Sequence, residues 1–181
     1  MEDLLDYAIS PAGPADALEL GRVHVKSWRE TYPGILPQAA LNRMNAAAHA
    51  RRFHLELARA QKGQVTLIAE GADGAVGYAA GALLGGDGRG RGADAEVFTL
   101  YVLRQAQGAG VGRALLRATA RVLKAEGAKS LMLFVLSRNE HARGFYERLG
   151  GEAFAEVASK GWGDGLTETA YRWKDIAGLA G

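Results

Sequence analysis

Three glycines alternate in the stretch QGAGVGR, at Gly108, Gly110 and Gly112, between an apolar β-like run and a basic amphipathic segment. A glycine turn that passes into a helix is suited to holding a phosphate. The first helical turn exposes N–H groups with no intrahelical partner, at the positive end of the helix dipole. Glycines let the backbone adopt positive φ and approach the anion without a Cβ in the way. Two versions of such a turn do not fit. A P-loop closes on Gly-Lys-Ser/Thr, whereas Gly112 is followed by Arg113 and Ala114. A dinucleotide fingerprint needs Gly-x-Gly-x-x-Gly at the opening of a βαβ unit, whereas the spacing here is Gly-x-Gly-x-Gly after several strands. The remaining reading is a pyrophosphate gripped by successive backbone N–H groups, with Arg113 the basic side chain nearest to it. Arg117 and Arg121 continue the row at four-residue spacing and read as a solvated helix face.

Positioning that turn requires a strand before it and a helix behind it. AEVFTLYVL, apolar on both faces, predicts a central strand. The segment from about Gly110 to Glu126 predicts a helix with Val111, Leu115, Ala118 and Val122 as its buried stripe. Upstream, DYAIS predicts a short strand and Ala15 to Tyr32 a helix that Pro33-Gly34 ends. A second helical region runs from Pro37 to about Gln61. QVTLIAE and AVGYAAGALL predict strands joined by a GADG hairpin turn. Downstream come the strand SLMLFVL, a short helix in NEHARGFYERLG capped by Asn139 and ended by Gly150, and the strands EAFAEVAS and TETAYRWKD. The element order predicts an α/β (α+β) fold: a single mixed, largely antiparallel sheet of six to seven strands flanked by helices, in one domain spanning 1–181.

Composition narrows the function classes. The 181 residues carry a net charge of +2, too small an excess to argue for nucleic acid. GGDGRGRGAD reads as a hairpin loop rather than an arginine-glycine tract. There are no cysteines, which removes disulfides and thiol catalysis. The histidines at 24, 49, 54 and 141 lack ligand spacing, so no metal is expected. An acidic N-terminus and the lack of a long apolar run predict neither a signal peptide nor a membrane span, and so a cytoplasmic location.

QGAGVGRALL resembles the Gln/Arg-x-x-Gly-x-Gly/Ala signature of the GCN5-related N-acetyltransferases. NEHARGFYERLG resembles that family's Asn-x-x-Ala-x-x-Phe-Tyr-Glu-x-Leu-Gly segment, at the right distance downstream, and SWRETYPGILP is similar to a stretch common in bacterial members. Element order agrees along nearly the whole chain. Arg104, Ala109 and Gly151 depart from the pattern: the family often has proline, a basic residue and phenylalanine there.

The resemblance implies a GNAT-like fold, acetyl-CoA as co-substrate and transfer to an amine in a ternary complex. The alternative is a CoA-binding sensor without turnover. Cofactor contacts are expected at Gln107, Gly108, Ala109, Gly110, Val111, Gly112, Arg113 and Asn139, and along the backbone of Leu100, Tyr101 and Val102. The acceptor amine, with a lysine-like pKa near 10.4, costs about 4–5 kcal/mol to hold neutral at pH 7. A carboxylate is the usual help. Glu96, opening an apolar strand where many members carry a glutamate, is the candidate, with Glu70, Asp94 and Glu168 as rivals. Tyr146 matches the family tyrosine that can protonate the leaving thiolate; sharing a helix face with Ala142, Phe145 and Leu149, it also reads as a core tyrosine. Trp28 and Tyr32, four residues apart on one helix face, are core or the wall of an acceptor pocket. The acceptor is a small-molecule or peptide amine. Trp162, set among glycines, is a pocket rim or a contact in a homodimer.

Overall fold

A computed structural model describes residues 7–85, 92–159 and 165–181. GGDGRGRGAD falls largely on 86–91 and Trp162 on 160–164, both outside the described residues. The strands are β1 (Ala8–Pro11), β2 (Gln64–Gly71), β3 (Gly74–Leu83), β4 (Ala95–Val102), β5 (Leu131–Leu136), β6 (Glu152–Ala158) and β7 (Thr167–Trp173). The helices are α1 (Ala17–Thr31), α2 (Gln38–Arg43), α3 (Ala46–Ala58), α4 (Val111–Ala125), α5 (Glu140–Arg148) and α6 (Ile176–Ala180).

The seven strands form a single sheet in the order β1-β2-β3-β4-β5-β7-β6. Every pairing is antiparallel except that of β4 with β5. That parallel pair is short: Ala95 to Val97 match Leu131 to Leu133, and the register stops there. Beyond it the two strands continue unpaired with each other, β4 to Val102 and β5 to Leu136. The register of β3 on β4 also slips, Gly81 opposing Val97 while Ala80 opposes Thr99, so Phe98 is the extra residue of a bulge. A bulge bends and twists its strand, which here turns β4 away from β5.

Helices cover both faces. Leu116, Ala120 and Leu123 of α4 pack with β4, β5 and β7 and with Ile176 and Leu179 of α6. On the opposite face Leu20 and Val23 of α1 meet Phe53 of α3 and Ile68 and Tyr78 of the sheet. Helices α1 and α3 cross closely at Gly21, where an added Cβ would collide with the Ala46 carbonyl oxygen and come within 2.8 Å of the Ala50 nitrogen.

Three local expectations need correction. The second helical region is two helices, because Met44 is extended and the Asn45 side chain caps α3 by accepting from the Ala48 N–H at 2.9 Å. Helix α6, started by the Asp175 cap, was not expected. The buried stripe of α4 is Val111, Leu115, Leu116, Thr119, Ala120 and Leu123, whereas Val122 is 38% exposed. The helix is wedged between the sheet and α6, so its buried arc runs further round than a single apolar row.

Candidate active site

The parting of β4 from β5 leaves a cavity of about 560 Å³ that runs between the strands, within the roughly 300–1,000 Å³ usual for small-molecule sites. Its walls are Val97 to Val102 on one side and Leu133 to Leu136 on the other. Unpaired strand edges present N–H and C=O groups to whatever enters, so the wall is polar in backbone and apolar in side chain.

At one end stands the glycine turn. Gly108 and Gly110 have φ of +80° and +83°, in the left-handed region that favours glycine. Gly110 is the N-cap of α4, so the first-turn donors of Val111, Gly112 and Arg113 point out of the helix at this end of the cavity. The Gln107 amide nitrogen donates to the Val102 carbonyl at 3.0 Å, folding the turn back on β4. Arg104 pins the same segment to α1, its guanidinium donating to the Glu30 carbonyl at 2.7 Å and its N–H to the Glu30 carboxylate at 2.8 Å.

Helix α5 closes one side. The Asn139 side chain accepts from the Ala142 N–H at 3.2 Å, which fixes the first turn. Arg143 donates to the Ser137 carbonyl and the Tyr171 hydroxyl, and Tyr171 donates to Glu147 at 2.6 Å, clamping α5 onto β7. This clamp holds Tyr146 against Tyr171 and Trp173, ring centroids 5.9 and 6.3 Å away, with its hydroxyl pKa raised, first by burial and then by nearby Tyr32. Gly151 is explained here: a Cβ on it would sit 2.9 Å from the Trp173 ring, which fills the space a larger residue would need.

At the other end Tyr32, from the C-terminal cap of α1, faces Tyr101 of β4, their hydroxyls 3.3 Å apart. Burial pushes both hydroxyls above their ordinary pKa. Behind them, away from the cavity, Trp28 packs edge-on against Tyr32 with centroids 5.4 Å apart. His24 stacks on Trp28 and His49 and shares a 2.7 Å hydrogen bond with Tyr78. Burial drives the His24 pKa down to about 3, and His49 and Arg52 add to the shift.

Among the expected site residues, Tyr32, Leu100, Tyr101, Val102, Gln107 and Gly108 line the cavity. So do Gly110, Gly112, Arg113, Asn139 and Tyr146. Val111 is buried core and Ala109 is partly buried against the same cluster, so neither offers a side chain; their backbone belongs to the turn. Trp28 supports the wall from behind.

The carboxylates separate by register. Asp94 accepts from the Lys129 and Ser130 N–H groups and so joins the start of β4 to that of β5. Glu70 is exposed and pairs with Ala8 near the edge of the sheet. Glu96 lies opposite Met132 of β5, at the paired end of the wedge, and is not among the lining residues. Glu168 lies opposite Leu136 and does line the cavity. Paired residues point to one side of a sheet, so Glu96 and Glu168 share the face that carries α1. The four-residue step from Met132 to Leu136 is about 13 Å. In sequence Glu168 shares the charged phase of the β7 alternation with Arg172 and carries no mark of its own. Among the described residues no group of three or more His, Asp or Glu could hold a metal ion, and no helix is long and apolar enough to cross a membrane.

The sequence model of the acetyltransferase (GNAT) family matches residues 25–151, a span from α1 through the glycine turn to the end of α5. The chain belongs to that family. An N-acetyltransferase of Bacillus subtilis (strain 168), YuaI, described as uncharacterized, is 31% identical over 165 residues, 91% of each chain. The fold is that of solved GNAT structures. The PaiA N-acetyltransferase of Thermoplasma acidophilum, in complex with coenzyme A, superposes with a TM-score of 0.75 at 19% identity, covering 92% of this chain and 98% of that one. YncA of Salmonella typhimurium, a putative acetyltransferase with its cofactor acetyl-CoA, gives 0.68 at 19% identity over 94% of both chains.

Proposed function

We propose that this GNAT protein transfers an acetyl group from acetyl-CoA to a primary amine by direct attack in a ternary complex. The observation that carries the reading is the wedge between β4 and β5, which joins a left-handed glycine turn at one end to a tyrosine-lined recess at the other. A coenzyme A molecule has a pyrophosphate head and a long amide-bearing arm, and the two halves of the wedge match them. The first-turn N–H groups of α4 and Arg113 would hold the pyrophosphate. The unpaired edge of β4 from Thr99 to Val102 would hydrogen-bond the amide arm as an added strand. Asn139 lies along its path. Coenzyme A supplies the activated thioester; the chain supplies alignment and proton handling.

In the transfer the amine gives up a proton to a carboxylate of the α1-side face, Glu96 or Glu168. The nitrogen lone pair forms the new C–N bond at the thioester carbonyl, and the C–S bond breaks. The thiolate takes a proton from Tyr146, whose raised pKa keeps it protonated at neutral pH. The β4 backbone at the Phe98 bulge, where the register with β3 slips, is the candidate to meet the carbonyl oxygen as charge develops on it.

The test is continuous thiol release from acetyl-CoA over a broad amine panel, with coenzyme A binding measured by calorimetry. Amine-dependent release supports the enzyme. Saturable binding with no release on any amine favours a CoA-binding sensor.

A further inference from the structure

Within the acetyltransferase reading, on which this inference rests, the acceptor end of the cavity has its own chemistry. The charged groups among the described lining residues differ in sign by element. Arg113, His141 and Arg148 come from α4 and α5. Glu168 of β7 is the one lining carboxylate among them. It is held in place from two sides. Its own strand pairs on both edges, Glu168 opposing Leu136 of β5 and Val157 of β6. The next residue, Thr169, shares a 2.9 Å hydroxyl hydrogen bond with Ser137, which locks the end of β5 to β7. Aromatic rings line the same cavity: Tyr32 of α1, Phe134 of β5 and Tyr101 of β4, whose hydroxyl lies 3.3 Å from that of Tyr32. Its charge reaches Tyr32, whose hydroxyl pKa is raised by burial and further by this carboxylate.

A single lining carboxylate beside aromatic rings recognises one kind of amine. One ammonium finds its counter-charge, and an apolar body finds tyrosine and phenylalanine faces. Among the described lining residues a second ammonium finds no second carboxylate. A carboxylate on the acceptor is repelled by Glu168. We infer that Glu168 receives the acceptor's ammonium and takes its proton, and that the acceptor is a monocationic primary amine with an apolar or aromatic body and no carboxylate beside the amine. The proton passes from nitrogen to a Glu168 oxygen as the C–N bond forms, and returns to solvent once product leaves.

The test compares 2-phenylethylamine, L-phenylalanine and spermidine as acceptors with acetyl-CoA, in the wild-type chain and in Glu168→Gln. These share a primary amine and differ in carboxylate and in the number of charges. The wild type should favour 2-phenylethylamine in kcat/KM by roughly 100-fold over both others, the scale at which a buried unmatched charge discriminates. Glu168→Gln should lose roughly 100-fold in kcat/KM for 2-phenylethylamine and leave the KM for acetyl-CoA within about twofold, since no lost contact is to the cofactor. Its residual rate should rise steeply with pH toward the pKa of the amine, because only free amine then reacts; a purely structural loss would not change the pH profile. Equal use of L-phenylalanine, a preference for spermidine, or a Glu168→Gln rate within about threefold of wild type overturns the inference and leaves acetyl transfer standing. If Glu96→Gln alone removes turnover, the proton goes to Glu96 and the inference falls. Absence of thiol release with every amine overturns the acetyltransferase reading itself.

Discussion

Tyr32 and Tyr101 meet through their hydroxyls at 3.3 Å and so tie the end of α1 to the half of β4 that has left β5. The wedge is therefore braced at one end by a helix and at the other by the glycine turn. Each brace makes a prediction.

Replacing Tyr146 by phenylalanine removes the proposed proton donor and little else, because the ring keeps its packing on Tyr171 and Trp173. Help to a thiolate leaving group is worth about 1–2 kcal/mol, so kcat should fall roughly 10-fold. The dissociation constant of coenzyme A, measured by calorimetry, should hold. In the wild type the raised Tyr146 pKa places loss of this proton above the ordinary tyrosine range, so kcat should show no falling limb up to about pH 9.5.

Gly110→Ala forces a Cβ into a φ of +83° at the cap of α4. The strain is about 1–2 kcal/mol, and in a chain of this size should lower Tm by roughly 2–8 °C. Displacement of the first-turn N–H groups should raise the KM for acetyl-CoA more than it lowers kcat. Steady-state kinetics with acetyl-CoA varied at fixed amine separate the two.

His24 makes acid a specific threat to the fold. Its folded pKa of about 3 lies below the unfolded 6.5, so the unfolded chain binds the extra proton. Stability is therefore full above pH 6.5 and declines as pH falls from there toward 3. The slope approaches 1.4 kcal/mol per pH unit, on the order of the ordinary linkage value for one proton. His49, also depressed by burial, adds in the same direction. Urea midpoints between pH 7 and 4.5 should fall steeply in the wild type and less in His24→Phe, which keeps the ring.

Gly21→Ala inserts a methyl group into the crossing of α1 and α3, where the neighbours are backbone atoms and cannot yield as a side chain would. A loss of about 1–3 kcal/mol is expected from denaturant unfolding. Tyr32 rides on α1, so the amine KM should rise while the acetyl-CoA KM stays.

The glycine-turn end of the cavity was legible in the sequence because local rules build it. A left-handed glycine before a helix and an asparagine cap three residues ahead of a bonded N–H each leave their mark within a few positions. Gly110 and Asn139 stand where those marks put them, along the cavity, and Tyr146, singled out by the resemblance of its segment, lines it too. The acceptor half is assembled from residues far apart in the chain. Glu168 lies 136 positions after Tyr32, and only the pairing of β5 with β7 brings it to the mouth. The end of the β4–β5 register depends on a bulge at Phe98, and a bulge inside an apolar run has no composition of its own. The break between α2 and α3 was within reach, since Asn45 is a good N-cap, but an alanine-rich run concealed it. Gly151 looked like a defect in the motif; Trp173, distant in sequence, shows it to be a fit.

The division of the cavity between separate elements also bears on how this chain could change. The turn and α5 that would grip the cofactor share no residue with the rim formed by Tyr32 and Glu168. If the proposed roles hold, a substitution on the rim would retune which amine is accepted with the thioester still held by the turn. New acceptor ranges would then be reachable one step at a time.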